Sequence, residues 1–309
     1  MWYAGLASLV LVTAAITAAT QRVNVTEQID QLVRAEMVRQ HVPGLALAVI
    51  KNDKGVVVKG YGFANLEHRV PVTPNTIFQS ASLGKQFTAA GIMALVESGS
   101  ITLDDPISEY LPETTARWGH ITVRHLLTHT SGILDHEDVI DYRRDYTDRE
   151  LVEFASNLPR RFLPGERFEY SNTGYMLLGI IITRVAGKFY GDYLHERIFA
   201  PLSMRTDRVI SEEDIVLNRA AGYNLKKGRL RNQEWVSPSL NRTGDGSLHI
   251  TILDFLSWER CVRSRDILSA DSWSQIFSPA TLNDGNTYPY GFGWNITKRN
   301  GQLVHHHDG

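Results

Sequence analysis

The strongest constraint on this chain is the order in which its hydrophobic period changes. Residues 45–50 and 56–62 read as strands, joined by Asn52-Asp53-Lys54-Gly55, residues that favour a tight hairpin. From Ser82 the period turns helical, with Leu83, Phe87, Ala90, Met93, Leu95 and Val96 apolar and Gly99 where a helix stops. Helical patterns dominate from there to about Val262. They include a capping box at Thr147-Asp148-Arg149-Glu150, a helix over 173–186 closed by Gly187, and another opening at Thr251. Strand character returns over 290–297 and 303–306, with Arg299-Asn300-Gly301 between them as a hairpin signal. Ahead of all this, Ile29, Leu32, Val33 and Met37 mark one face of a helix that His41-Val42-Pro43-Gly44 ends. Strands, many helices, then strands again predict an α+β fold. Its antiparallel sheet is expected from the N- and C-terminal segments with helices packed on it, and a mostly helical domain is inserted. The expected partition is 20–78 and 266–309 for the α/β part and 79–265 for the helical part.

Composition removes several classes of function. Lys plus Arg (32) against Asp plus Glu (34) gives a net charge of −2, leaving no basic excess for a nucleic-acid backbone. The single cysteine, Cys261, forms no intrachain disulfide and excludes a cysteine-rich zinc site; it reads as a small buried hydrophobe. Residues 1–20 carry no charge and end in Thr17-Ala18-Ala19, so 1–19 reads as a signal peptide for a secreted or periplasmic protein. The alternative is an uncleaved membrane anchor.

No Gly-x-Ser-x-Gly, His-Glu-x-x-His, Walker loop or Gly-x-Gly-x-x-Gly occurs. What remains is Ser82-Leu83-Gly84-Lys85, where an extended segment meets a helix. That spacing sets a hydroxyl and an amine on one face, and a lysine with its charge suppressed can take the serine proton. Alone, Ser-x-x-Lys is common by chance. Two further segments accompany it: Tyr170-Ser171-Asn172 before the 173–186 helix, and His307-Asp308-Gly309 after the last strand.

Together these resemble the three signatures of the serine β-lactamase and penicillin-binding-protein superfamily, in the Tyr-x-Asn form of the class C β-lactamases and related D,D-peptidases and esterases. Further segments are similar to the family in the expected order: Pro43-Gly44-Leu45-Ala46, Gly60-Tyr61-Gly62, His125-Leu126-Leu127-Thr128-His129-Thr130-Ser131-Gly132, Pro201-Leu202-Ser203-Met204 and Tyr290-Gly291-Phe292-Gly293-Trp294. The resemblance implies a β-lactamase/transpeptidase-like fold and acyl-enzyme chemistry on an ester, a β-lactam, or a D-amino-acid peptide or amide. Ser82 would be the acylated nucleophile, with its N–H in the oxyanion hole, Lys85 its partner and Tyr170 a base or relay. Asn172, His307 and Gly309 would contact substrate. No metal or organic cofactor is implied, and the expected partner is a small-molecule or peptidoglycan-derived substrate, with no nucleic acid. Making a lysine half neutral at pH 7 costs roughly 4.6 kcal/mol, and half ionising a tyrosine costs roughly 4 kcal/mol. Either group is therefore open as the base.

Other residues read more plainly. Ser80 has Leu83 three residues on and no basic partner. His129 and Ser131 read as a structural loop, and His305 and His306 as neighbours pointing to opposite strand faces. Gly244 and Gly246 mark a turn or close backbone approach. The resemblance further implies that the strand continues past Gly309 into more strands and a C-terminal helix. The sequence ends at Gly309, so it reads as a truncated product or a partial sequence with an unpaired sheet edge. The rival function is a penicillin-binding sensor or an inert truncated homologue.

Overall fold

The computed structural model describes residues 25–309, apart from 52–53, 115–117, 207 and 210–213. The expected signal peptide, 1–19, lies outside the described residues. The chain divides into two compact units. One runs to Thr76 and takes in Ala220–Gln233; the other comprises Ile77–Arg219 and Glu234–Gly309. The class is α+β, as expected. The division groups 266–309 with the helical residues and moves 220–233 to the N-terminal unit.

In the first unit, α1 (Val25–Gln40) leads into β1 (Gly44–Lys51), which is antiparallel to β2 (Lys54–Asn65), with β3 (Val70–Pro71) on the far side of β2. Ile29, Val33 and Met37 of α1 are half-buried, but Leu32 is 69% exposed. At 100° per residue Leu32 lies well to one side of the stripe formed by the other three. Asp30 ties α1 to β2 by accepting from Lys59 Nζ and the Tyr61 hydroxyl, each at 2.6 Å. Tyr223–Lys226 and Arg229–Asn232 form a further hairpin inside the stretch expected to be helical. Its two-residue turn has Lys227 at φ +50° and Gly228 at φ +72°, the left-handed pair that matches strand twist. The flanking residues are mostly exposed and polar, so no alternating apolar pattern announced it.

In the second unit, strand Leu248–Thr251 is central, flanked antiparallel by Ile77–Gln79 and Arg208–Val209. The helical body comprises α2 (Lys85–Glu97), α3 (Val123–Leu127), α4 (Asp148–Asn157), α5 (Asn172–Ala186), α6 (Tyr190–Leu194), α7 (Ile252–Ser264) and α8 (Ala270–Ile276). Helices α2 and α5 are buried continuously from Lys85 to Leu95 and from Asn172 to Ile182, as sequences apolar on every side require. The capping box at Thr147 and Glu150 starts α4, Thr251 caps α7, and Gly187 at φ +66° ends α5.

The last hairpin pairs Asn295–Arg299 with Gln302–His306 across Asn300 (φ +50°) and Gly301 (φ +76°). It begins five residues later than expected, because the segment before it is a loop bent at Gly293 (φ +78°). A Cβ on Gly293 would stand 2.8 Å from the Lys85 carbonyl, so the loop closes directly on the start of α2. Among the described residues the strands from the two chain ends form separate antiparallel ladders, β1–β2–β3 and this hairpin, rather than one continuous sheet.

Candidate active site

Strand Ile77–Gln79 delivers the chain into a 3₁₀ turn, Ala81–Gly84, ahead of α2. Side chains three apart eclipse in such a turn, which places Lys85 Nζ 2.9 Å from Ser82 Oγ. Ala81 has φ +45°, a left-handed conformation that costs a residue with a side chain about 1–3 kcal/mol. Two glycines brace the turn. A Cβ on Gly246 would be 2.9 Å from the Ala81 carbonyl carbon, and one on Gly309 would be 2.4 Å from the Ser80 carbonyl oxygen. Ser82 itself stays half-buried, so a substrate can reach it.

Lys85 is fully buried. Its amine donates to Ser82 Oγ (2.9 Å), Asn172 Oδ1 (2.6 Å) and the Asp245 carbonyl (2.7 Å), one acceptor for each hydrogen of the charged form. Burial lowers its pKa to about 8, against the opposing pull of the Asp245, Glu137 and Asp135 carboxylates. Tyr170 sits with its ring centroid 5.0 Å from Lys85 Nζ. Its hydroxyl is buried without a hydrogen bond of ordinary geometry. Burial raises its pKa well above the usual phenol value, and proximity to Ser82 offsets this in part.

Asn172 is the first residue of α5, and both its backbone N–H and Nδ2 donate to Asp135 Oδ2, at 2.7 and 3.2 Å. Its Oδ1 is thereby turned toward Lys85. Asp135, Glu137 and Asp245 were not singled out by sequence reasoning. Asp245 had a signal, since it lies between two glycines that permit close approach; Asp135 and Glu137 had none, because their link to the site is long-range. The Glu137 carboxyl is pushed up by burial and by the neighbouring Asp135 and Asp245 charges.

His307 lies with its ring 6.0 Å from that of Tyr170, and burial lowers its pKa. The structure also brings in His129, whose fully buried ring lies 4.3 Å from the Tyr170 ring. Ser131 stays a loop residue, its Oγ accepting from Ile133 N–H at 3.3 Å. Cys261 is buried, with its thiol pushed up to about 12 by that burial, and His305 packs on Phe277 at 4.4 Å between centroids.

A buried amine held between a serine hydroxyl and an oriented amide is suited to moving a proton off that serine. The chain is 32% identical over 271 residues to penicillin-binding protein 4* of Bacillus subtilis, covering 81% of this chain and 59% of that protein. The octameric penicillin-binding protein homologue from Pyrococcus abyssi superposes with a TM-score of 0.78 at 33% identity, over 90% of this chain and 66% of that one. D-Amino acid amidase from Ochrobactrum anthropi SV3 gives 0.75 at 29% identity, over 88% and 81%. The chain thus spans about three-fifths of the length of the Bacillus relative. The family model described as Beta-lactamase matches residues 29–309, and the chain belongs to that family.

Proposed function

We propose that the chain acts as a serine hydrolase through an acyl-enzyme. The observation that carries this is the fully buried Lys85 amine 2.9 Å from Ser82 Oγ, its other contacts being Asn172 Oδ1 and the Asp245 carbonyl. With a pKa of about 8, roughly a tenth of Lys85 is neutral at pH 7. The neutral amine keeps two donors for Asn172 and Asp245 and turns its lone pair to Ser82. Ser82 Oγ then bonds to the carbonyl carbon of an amide or ester as its proton passes to Lys85. The Ser82 N–H receives the developing oxyanion. Tyr170, held neutral by burial, relays a proton from Lys85 to the departing amine or alkoxide as the carbonyl–leaving-group bond breaks. Water next adds to the acyl carbon, giving a proton to the same base, and that base returns the proton to Ser82 Oγ as the ester bond breaks to free the acid and restore the neutral amine. Lys85 pushed down and Tyr170 pushed up support Lys85 as the base.

The finer substrate reading is an amide or ester whose acyl part is uncharged or carries an ammonium group. Three carboxylates, of Asp135, Glu137 and Asp245, act on Lys85, and His307 is biased toward its neutral form. Such surroundings oppose a substrate carboxylate, and the likeness to a D-amino acid amidase supports the same class. Export through residues 1–19 belongs to this proposal and is tested by N-terminal sequencing of secreted protein. The central test is fluorophosphonate labelling read by intact mass and peptide mapping. One label on Ser82, absent from Ser82→Ala, is expected; undiminished labelling of Ser82→Ala overturns the assignment. Stoichiometric labelling without turnover of any amide or ester would favour the penicillin-binding sensor.

A further inference from the structure

His129 and Tyr290 come from segments that sequence reasoning set aside as a loop and a family likeness, yet both are buried beside the site, at 1% and 0% exposure. Their hydrogen bonds have a polarity that can be read from both ends. At one end the Ser171 backbone N–H donates to His129 Nδ1 at 3.1 Å, so Nδ1 carries no hydrogen and Nε2 does. At the other end His307 Nδ1 lies 2.6 Å from the Asp308 carbonyl, which can only accept, so here Nδ1 carries the hydrogen and Nε2 the lone pair. Between them stands the Tyr290 hydroxyl, 3.1 Å from His129 Nε2 and 3.0 Å from His307 Nε2. His129 Nε2–H donates to Tyr290. The Tyr290 hydrogen then has two acceptors, His307 Nε2 and the Tyr175 hydroxyl, whose own hydrogen goes to the Leu127 carbonyl, and the imidazole nitrogen is the stronger acceptor of the two.

We propose that His129 and Tyr290 are positioning residues whose one-way relay holds His307 as the neutral Nδ1–H tautomer, and so set the charge the site shows to its substrate. A proton on His307 Nε2 would set two N–H donors against the single Tyr290 oxygen and turn that hydroxyl's hydrogen out of the relay. A proton on His129 Nδ1 would meet the Ser171 N–H head-on. The groups facing His129 are Tyr170, Tyr175, Tyr290, Lys85 and His307; those facing His307 are Tyr170, Tyr290, Lys85, Asp308 and His306. Of these, Lys85⁺ opposes a further positive charge on either ring, while the single carboxylate, Asp308, favours one on His307. His129 is also held at φ +57°, a left-handed conformation that the surrounding contacts must maintain. The relay rests on the hydrolase reading only in placing His307 at the substrate.

The test is long-range proton–nitrogen correlation spectroscopy of the full chain with ¹⁵N-labelled histidine, from pH 5 to 8, with His129 and His307 assigned by the loss of a signal in His129→Gln and His307→Asn. In the unmodified chain at pH 7 His307 should show a protonated Nδ1 and a bare Nε2 and His129 the reverse, and both rings should take up a second proton only below the ordinary imidazole range. In Tyr290→Phe the Asp308 carbonyl still holds Nδ1–H, but Nε2 loses its donor and is free to take a proton, so the His307 titration should move to higher pH, and the kcat/KM ratio for an anionic over a neutral ester at pH 6 should rise about five-fold. An Nε2–H tautomer of His307 in the unmodified chain overturns the relay, and that reading needs no variant to fold. Unchanged His307 titration and an unchanged substrate ratio in folded Tyr290→Phe overturn it equally. Because tautomers are read without turnover, failure of Ser82 labelling would sink the hydrolase reading and leave this result standing.

Discussion

Asp135 and Asn172 meet through a single carboxylate oxygen that accepts both the backbone N–H and the side-chain Nδ2 of the asparagine. The contact decides which way the Asn172 amide faces and therefore what Lys85 finds at 2.6 Å. In Asp135→Ala the amide is free to turn, and a charge-assisted pair worth about 1.5–3 kcal/mol is lost. Acylation of Ser82 should slow about 10- to 100-fold with the fold retained. Removing the carboxylate also removes one of the charges that hold the Lys85 pKa up, so the rise of activity with pH should move to lower pH. Stopped-flow labelling across pH checks both. An unchanged profile would show that Asp135 does not act through Asn172.

Lys85 should leave its own trace in pH dependence. Its folded pKa of about 8 lies below the ordinary 10.5, so the neutral base accumulates as pH rises and acylation should climb to a plateau above pH 8. Stability follows the same sign. Below pH 8 folded and unfolded chains both bind the proton and the burial penalty is complete; between 8 and 10.5 the unfolded chain alone keeps it, so stability increases with pH. Lys85→Met should lack that increase in melting temperature. Lys85→Arg should stay inactive, because a guanidinium does not give up its proton. If Lys85 and Tyr170 share one proton path, the double mutant should be little slower than the worse single mutant. Additive losses would separate them.

The legible part of this molecule is what local chemistry dictates. Asn300-Gly301 marked the last hairpin, Thr147 and Glu150 the start of α4, and Ser82 and Lys85 a shared face, because each depends on neighbours within four residues. The hairpin around Lys227-Gly228 and the central strand Leu248–Thr251 were not legible: the first is exposed and polar, and the second, Leu-His-Ile-Thr, is only four residues long, too short for its alternation to stand out before the helix that follows, and it is buried on both faces. Asp135 and Tyr290 were missed as site residues for a different reason. Their partners are 37 and 161 residues away in sequence, at Asn172 and His129, and no periodicity reports such a meeting.

Substrate choice should follow charge. A site with three carboxylates acting on Lys85 and a histidine biased to neutrality should turn over p-nitrophenyl acetate and amino-acid amides in preference to nitrocefin, whose carboxylate finds no fixed cation at His307. His307→Lys puts a positive charge at that position and should shift the kcat/KM ratio toward nitrocefin by about five-fold or more. Steady-state kinetics at several ionic strengths would test this, since the shift should shrink as salt screens the new charge. A preference of the unmodified protein for nitrocefin would exclude the amide and ester reading.

The strained turn offers the sharpest mechanical test. Ala81 is held at φ +45° directly before the nucleophile, and Gly246 lies so close that an added Cβ would be 2.9 Å from the Ala81 carbonyl carbon and 3.1 Å from its oxygen. Backbone cannot yield as a flexible side chain can, so Gly246→Ala must push the turn outward and carry Ser82 with it. The overpacking should cost about 1–3 kcal/mol of stability. Displacing a reacting atom by about 1 Å can cost about 10²-fold in rate, so the labelling rate at Ser82 should fall about 10- to 100-fold. Gly55→Ala is the control, since a Cβ there meets nothing within 4 Å and should leave both melting temperature and labelling unchanged. A Gly246→Ala protein that labels at the unmodified rate would show that the 244–246 loop does not set the position of Ser82.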